Sequence, residues 1–357
     1  MSRRFLIANP FGLGDAICSL SVAQRLRETH PDALIGFVGN ERTADLLRLV
    51  TCIDHVYVFS RDSLRSALKK SPFLFYREVR ELLRAIGDCK YDALIDFSLG
   101  REFSLAGLFL GIKRRVGFDY KDRGLFLTHK KKIRSYKDEP VAQQQLDLVF
   151  DAGMLPDNEI PRHIVTKISG ELSVPTGVFK APRIALVPGG GRSWGDNARF
   201  KQWDVERFAE TALALKGVLP DTSFFLLGDS LEKKILKDLS QRLSPSVSVE
   251  ICAGLPIAEV CSLIQSVQLV IGNDSGLMHL ANMLGVKTVS IFGPVDEKVY
   301  GVYGGDASIS RFVSEPVSCR PCYKDFKFPP CRHDRQCLIH LSVARVVSEA
   351  KNLLSIH

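Results

Sequence analysis

The chain has 357 residues, 45% hydrophobic, 25% charged and 9% aromatic. This composition buries a core and excludes a disordered, collagen-like or disulfide-dense chain, and at roughly 150 residues per domain the length fits about two domains. The net charge of +8, from 48 Lys and Arg against 40 Asp and Glu, favours an anionic partner such as a nucleic acid, a membrane surface or a phosphorylated substrate.

The first apolar run, Arg4 to Asn9, starts like a signal peptide after Arg3. Asn9, Pro10 and Asp15 interrupt it too early, so it reads as a strand. No apolar run reaches the roughly 18 residues of a membrane-spanning helix, which excludes an integral membrane protein. Leu34 to Val38, His55 to Phe59 and Ala93 to Phe97 are further strand-like runs separated by amphipathic stretches, the pattern of a parallel sheet with crossover helices. After Val116-Gly117-Phe118 the chain turns basic and irregular. A helical stretch from about Pro140 to Ala152 then leads to Pro156, Pro161, Gly170, Pro175, Gly177 and Pro182, which read as a linker. The strand pattern restarts at Arg183 to Val187 and continues through Ser223 to Leu227, Val247 to Ile251, Leu269 to Gly272 and Thr288 to Phe292. The fold class is therefore α/β with two Rossmann-like doubly wound domains, expected over 1–178 and 179–340. Their active site is expected in a cleft at the C-terminal ends of the strands. No short-period repeat or low-complexity tract is present.

Three loops after strands carry candidate chemistry. In Asn9-Pro-Phe-Gly-Leu-Gly-Asp15, Gly12 and Gly14 let the backbone turn sharply and offer N–H groups at a helix start. Ile17 stands where a dinucleotide fingerprint needs its third glycine, which argues against a nicotinamide or flavin cofactor. Asp15 suits either a helix-start charge or a general base. The second loop, Val187-Pro-Gly-Gly-Gly191, sets Gly189 and Gly190 where a phosphate can approach the backbone, or where the loop is simply flexible. Lys201, just before Trp203 and the next helix, would reach back to an anion or stay a surface lysine. The third loop, Ile271-Gly-Asn-Asp-Ser-Gly-Leu-Met-His279, ends a strand and opens a helix with Asp274, Ser275 and Gly276, an anion-binding arrangement of capping side chains and free amides. Ser275 and His279 are four residues apart and share a helix face, His279 being either structural or aimed at a ligand.

These segments, together with Lys201-Gln-Trp203, Phe292-Gly-Pro294 and Tyr300-Gly301, resemble family 9 glycosyltransferases, the ADP-heptose:lipopolysaccharide heptosyltransferases and their relatives. The resemblance covers nearly the whole chain except about 100–180. It implies a GT-B fold with an acceptor-binding N-terminal domain, a nucleotide-sugar-binding C-terminal domain, and a last helix, 341–357, packing back on the N-terminal domain. It also implies inverting transfer without a catalytic metal, with Asp15 deprotonating an acceptor hydroxyl. Around the ADP it places Lys201, Asp274, Ser275, Gly276 and His279, with Glu232 near the adenosine. Ser275 stands where many relatives carry Thr, and both keep a hydroxyl.

From Arg101 to Lys137 the chain carries eleven Lys and Arg against three Asp and Glu. Such a stretch is either solvated loop charge or a surface facing an anionic saccharide acceptor or the acidic inner-membrane surface. Few aromatics interleave it, which argues against nucleic acid. Cys319-x2-Cys322-x8-Cys331-x5-Cys337 suits a structural zinc or iron site, a disulfide pair or free thiols, with His333 a weaker ligand. Nine cysteines, an odd number, fit a reducing cytoplasm. The leading expectation is heptose transfer from ADP-heptose to a lipopolysaccharide-core acceptor. The alternatives are a GT-B enzyme acting on another nucleotide sugar, by transfer or epimerisation, and a non-catalytic nucleotide- or glycan-binding module.

Overall fold

The computed structural model describes residues 3–161, 164, 166, 180–243, 245, 247–301 and 308–356, the side chains of 192–194 and 196 excepted. The chain divides into two compact units, Met1–Lys167 and Ile168–His357. The expected boundary at 178/179 and the linker residues Gly170, Pro175 and Gly177 lie outside the described residues.

The N-terminal unit runs β1 (Arg4–Ala8), α1 (Leu13–Thr29), β2 (Leu34–Gly39), α2 (Ala44–Leu49), β3 (His55–Val58), α3 (Arg61–Lys70), α4 (Pro72–Asp88), β4 (Ala93–Asp96), α5 (Glu102–Phe109), β5 (Arg114–Tyr120), β6 (His129–Ile133) and α6 (Val141–Asp151). Its six strands are all parallel, in the order β3-β2-β1-β4-β5-β6. The C-terminal unit runs β7 (Arg183–Val187), α7 (Val205–Val218), β8 (Ser223–Gly228), α8 (Lys233–Leu243), β9 (Ser248–Ala253), α9 (Ile257–Ser266), β10 (Leu269–Asn273), α10 (Gly276–Met283), β11 (Thr288–Phe292), α11 (Glu297–Tyr300), β12 (Ser310–Ser314), α12 (Gln336–Ile339) and α13 (Val343–Leu354). Its sheet repeats the first, parallel in the order β12-β11-β10-β7-β8-β9. Helices cover the strands, so the central ones are continuous buried apolar runs, as in Ile184 to Val187 and Leu269 to Ile271. In each unit the strand order reverses at one place, between β1 and β4 and between β7 and β10. Loops at the carboxyl ends of those strands border a ready crevice.

The structure corrects one expectation. The segment after Gly117 is not irregular: it completes β5 and adds β6, the edge strand. Lys130, Lys131 and Lys132 lie exposed on that edge, where charge discourages pairing with another chain, and they approach Asp119, Asp151 and Asp122 at 3.6, 3.9 and 3.4 Å. Arg114 and Arg115 donate to the carbonyls of Ala152 and of Phe126 and Ile112. Much of the basic stretch is thus held by the N-terminal unit itself. The last helix, α13, contributes to the core of the C-terminal unit. Its apolar stripe, Val346, Ala350 and Leu353, joins Trp203, Phe208, Val289 and Val313 in the C-terminal core, because spacings of four and three put these residues on one helix face.

Candidate active site

At the N-terminal switch point, β1 runs into the Asn9–Asp15 loop. Asn9 is buried and organises it: Oδ1 accepts the Phe11 N–H at 3.2 Å, and Nδ2 donates to the Asp15 carbonyl at 3.1 Å and to Ser19 Oγ at 2.7 Å. Asn40, after β2, donates to the carbonyls of Pro10 and Phe11 at 3.1 and 2.5 Å. These two asparagines fix the loop, a role that the sequence reading did not assign. Asp15 is half-buried in the first turn of α1. Both glycines lie at the start of α1, and neither needs a backbone that only glycine adopts. Gly12 is the N-cap with φ −72°, open to any residue, and Gly14 already lies inside α1.

Beside this loop, at the end of β4, is a second carboxylate that the sequence reading missed. Asp96 pairs in register with Ala8 and is buried, with Oδ1 accepting the Ser98 N–H at 3.0 Å and Oδ2 without a partner. Burial pushes its carboxyl up to about 6, against hydrogen bonds from Ser98 that pull it down. A buried Asp followed by Ser at a strand end is the signal that could have marked it.

The C-terminal switch point gathers the remaining predicted residues. Asn273, at the end of β10, is fully buried and joins two loops: Nδ2 donates to the Pro188 carbonyl at 2.8 Å and Oδ1 accepts the Trp203 N–H at 3.0 Å. Lys201 is not a surface lysine. Its Nζ lies 2.7 Å from Asp274 Oδ2, with the two side chains 7% and 8% exposed. Asp274 is thereby spent on an ion pair instead of capping α10, and Ser275, although the N-cap residue, makes no capping bond through its side chain. Ser275 Oγ and His279 Nδ1 are both buried without hydrogen-bond partners. Unpaired buried polar atoms are costly, and both residues lie at the N-cap and in the first turns of α10. Burial brings the His279 imidazole down to about 4, with Lys201 adding to the fall and Asp274 opposing it, so the ring is neutral at pH 7.

The glycine loop after β7 is tight for a reason other than the one expected. A Cβ on Gly189 would sit 1.9 Å from Glu232 Oε1, and one on Gly190 would sit 2.4 Å from the Ala198 carbonyl oxygen. Gly191 has φ +77°. The chain's own groups close on this loop, whatever else approaches it. Glu232 forms a capping box with Asp229, accepting the Asp229 N–H at 3.0 Å, and its Oε1 accepts the Gly191 N–H at 3.3 Å, so it bridges the ends of β7 and β8. Gly189, Gly190, Lys201, Glu232, Asp274, Ser275, Gly276 and His279 thus belong to one crevice of the C-terminal unit, while Gly12, Gly14 and Asp15 belong to the N-terminal one.

Of the four clustered cysteines, Cys319, Cys322 and Cys331 lie on a separate loop docked on the turn after β11, and Cys337 is buried in α12. The Cys322 and Tyr323 N–H groups donate to the Pro294 carbonyl at 2.9 and 3.2 Å, and Arg320 pairs with Glu297 at 2.6 Å. Burial raises the Cys322 thiol, reinforced by Cys319 and Cys331, and pushes Cys337 up to about 11, with Cys322, Cys319 and Cys331 also acting on it. The four thiols are therefore neighbours. Among the described residues, however, no three His, Cys, Asp or Glu side chains stand in a metal-holding arrangement, and all nine cysteines are free thiols. No helix among the described residues is long and apolar enough to cross a membrane.

A sequence model of Glycosyltransferase family 9 (heptosyltransferase) matches residues 79–328. Lipooligosaccharide heptosyltransferase 2 of Campylobacter jejuni is 32% identical over 166 residues, which are 46% of this chain and 49% of that one, so the match spans about half the relative's length. The structure of Escherichia coli ADP-heptose lps heptosyltransferase II superposes with a TM-score of 0.72 at 19% identity, covering 99% of this chain and 98% of that one. The iron-containing dodecameric glycosyltransferase TibC from enterotoxigenic E. coli superposes with a TM-score of 0.56 at 16% identity, covering 99% and 77%. These superpositions establish the GT-B fold with its two doubly wound sheets. With the family match extending over more than half of its residues, the chain belongs to glycosyltransferase family 9, the heptosyltransferase family.

Proposed function

We propose that this protein is an inverting glycosyltransferase that moves a heptose from ADP-heptose to a saccharide of the lipopolysaccharide-core class. The observation that carries the donor half is the crevice between β7 and β10, where Ser275 Oγ and His279 Nδ1 lie buried and unpartnered beside the Lys201–Asp274 pair. A diphosphate supplies what these groups lack. Its oxygens accept from the first-turn amides of α10 and from the Ser275 hydroxyl, and neutral His279 offers an N–H without adding charge. Lys201 carries the compensating positive charge, with Asp274 holding its ammonium in place. Glu232, which bridges the ends of β7 and β8, would lie near the adenosine.

In the transfer itself the acceptor O–H gives its proton to the Asp15 carboxylate as its oxygen bonds to the anomeric carbon. The bond from that carbon to the β-phosphate oxygen breaks, and ADP departs with the electron pair. A single displacement from the face opposite the leaving group inverts the anomeric configuration. The amides of α10 and Lys201 oppose the charge that grows on the diphosphate. No step needs a metal in this scheme. The odd number of cysteines in a chain with two apolar cores fits a reducing cytoplasm, where nucleotide sugars are at hand. A competition assay tests the donor reading: ADP should bind at least about tenfold more tightly than UDP or GDP, and ADP-heptose alone should be consumed with acceptor present. Equal binding of all three nucleotides, or consumption of another nucleotide sugar in its place, would contradict it.

The cysteine segment has the donors for a thiophilic ion, zinc or iron, and four neighbouring thiols suit one by chemistry. Cys319, Cys322, Cys331 and Cys337 would hold it as a structural clip on the turn after β11, with no part in the transfer itself. Protein purified without chelator should contain one equivalent of metal, lost in a Cys322→Ser variant; metal-free protein with all nine thiols titratable would remove this assignment.

A further inference from the structure

Two helices of the N-terminal unit are amphipathic yet bury almost nothing. α3 and α4 contain 10 and 17 residues, of which only Ala67 and Ile86 are buried. Phe73 is 70% exposed, Tyr76 62%, and Phe109 at the end of α5 78%, with Leu68 and Leu108 also exposed. A groove of about 370 Å³ lined by Tyr76, Val79, Leu83 and Leu110 makes the face continuous from α4 to the segment after α5, and Arg80 and Arg84 line it too. A contiguous exposed apolar patch of this kind marks an interaction surface.

Charge selects the partner. Residues 61–90 carry eight Lys and Arg against four Asp and Glu, and Arg61, Arg65, Lys69, Lys70, Arg77, Arg80 and Arg84 are all exposed. A second copy of the chain would bring the same positive face against itself. An anionic lipid surface answers both features, taking aromatic rings into its headgroup layer and setting phosphates against the arginines and lysines. We infer that the α3–α4 face, with the end of α5, docks this protein on an anionic membrane surface. The inference complements the reading of a lipopolysaccharide-type acceptor, which is carried by a lipid, but its test requires neither donor nor acceptor.

The experiment is vesicle flotation of the full chain with mixed phosphatidylglycerol–phosphatidylcholine vesicles and with pure phosphatidylcholine. The wild type should float with the mixed vesicles and bind the neutral ones at least about tenfold more weakly, and salt should weaken the binding. The triple variant Phe73→Ser/Tyr76→Ser/Phe109→Ser should lose about tenfold or more, and Arg80→Gln/Arg84→Gln should lose most of the salt-sensitive part. All five positions are exposed or line an open groove, so melting temperature and ADP binding should not change. Vesicle binding that is equal in wild type and triple variant overturns the assignment, as does a wild type that binds neither vesicle. Self-association of the wild type that the triple variant abolishes would give the face to a second copy and likewise overturn it. Failure of the transferase reading would be seen separately, as vesicle binding without turnover.

Discussion

Replacing Lys201 with Met removes the cation 2.7 Å from the Asp274 carboxylate while filling nearly the same volume. At that distance and an effective dielectric of about 20, the gross attraction is about 6 kcal/mol, most of it offset by the desolvation of both groups. The net worth of the pair is therefore small, but breaking it from one side is costly, because the carboxylate stays buried alone. Lys201→Met should lose about 3–5 kcal/mol of stability in urea melts at pH 7. Asp274→Asn should lose less, since the amide keeps the carbonyl oxygen as an acceptor. The double variant Lys201→Met/Asp274→Asn should recover much of the loss and give a coupling energy of about 1–3 kcal/mol in the cycle. ADP affinity behaves differently if Lys201 serves the diphosphate: it should fall about 10- to 100-fold in Lys201→Met and stay low in the stability-restored double variant. A double variant that binds ADP like the wild type would show that the pair is architectural and refute the donor-site argument.

Other consequences can be checked in parallel. His279 titrates near 4 in the folded chain and near 6.5 when unfolded, so its contribution is present above about pH 6.5 and is lost as pH falls toward 4, about 3 kcal/mol in all. Asp96 runs the other way: its contribution is full below about 3.8 and is lost as pH rises through 6. The wild-type profile mixes the two, so the His279 part should be read as the difference from His279→Gln between pH 7 and pH 4, and a constant difference would refute it. Asp96→Asn should stabilise the protein by about 2 kcal/mol at pH 8 and not at pH 3.5, because the amide avoids burying an ion; destabilisation at pH 8 would mean that Oδ2 has a partner in solution. Gly189→Ala forces Glu232 away from the Gly191 amide and should weaken ADP binding about tenfold with less than about 2 kcal/mol lost in stability, whereas unchanged ADP affinity would separate this loop from the nucleotide.

Periodicity located the buried strands well, since Ile184 to Val187 and Ala93 to Ile95 are apolar runs. It missed β6, whose His-Lys-Lys-Lys-Ile sequence lies exposed on an edge and takes its strand conformation from pairing with β5. It also joined the start of β5 to a basic loop because Arg114 and Arg115 open that strand. Ser310–Ser314, another short strand, forms by pairing with β11. The donor crevice was legible as a pattern of loops, but its wiring was not. Asp274 looks like a helix cap until Lys201, far away in sequence, is seen to claim it. The glycines of 189–191 look like a phosphate cradle until Glu232 and Ala198 are seen filling the space. α13 could not be assigned to a core from its own sequence, because an apolar stripe says that a helix packs without saying on what.

The proposed transfer requires Asp15 to take a proton from the acceptor hydroxyl. Steady-state release of ADP from ADP-heptose with a core-saccharide acceptor, measured for the wild type and Asp15→Asn, tests it directly. The account predicts a fall in kcat of about 10²- to 10⁴-fold with ADP affinity unchanged and the folded state intact. Turnover by Asp15→Asn within a few-fold of the wild type would contradict it.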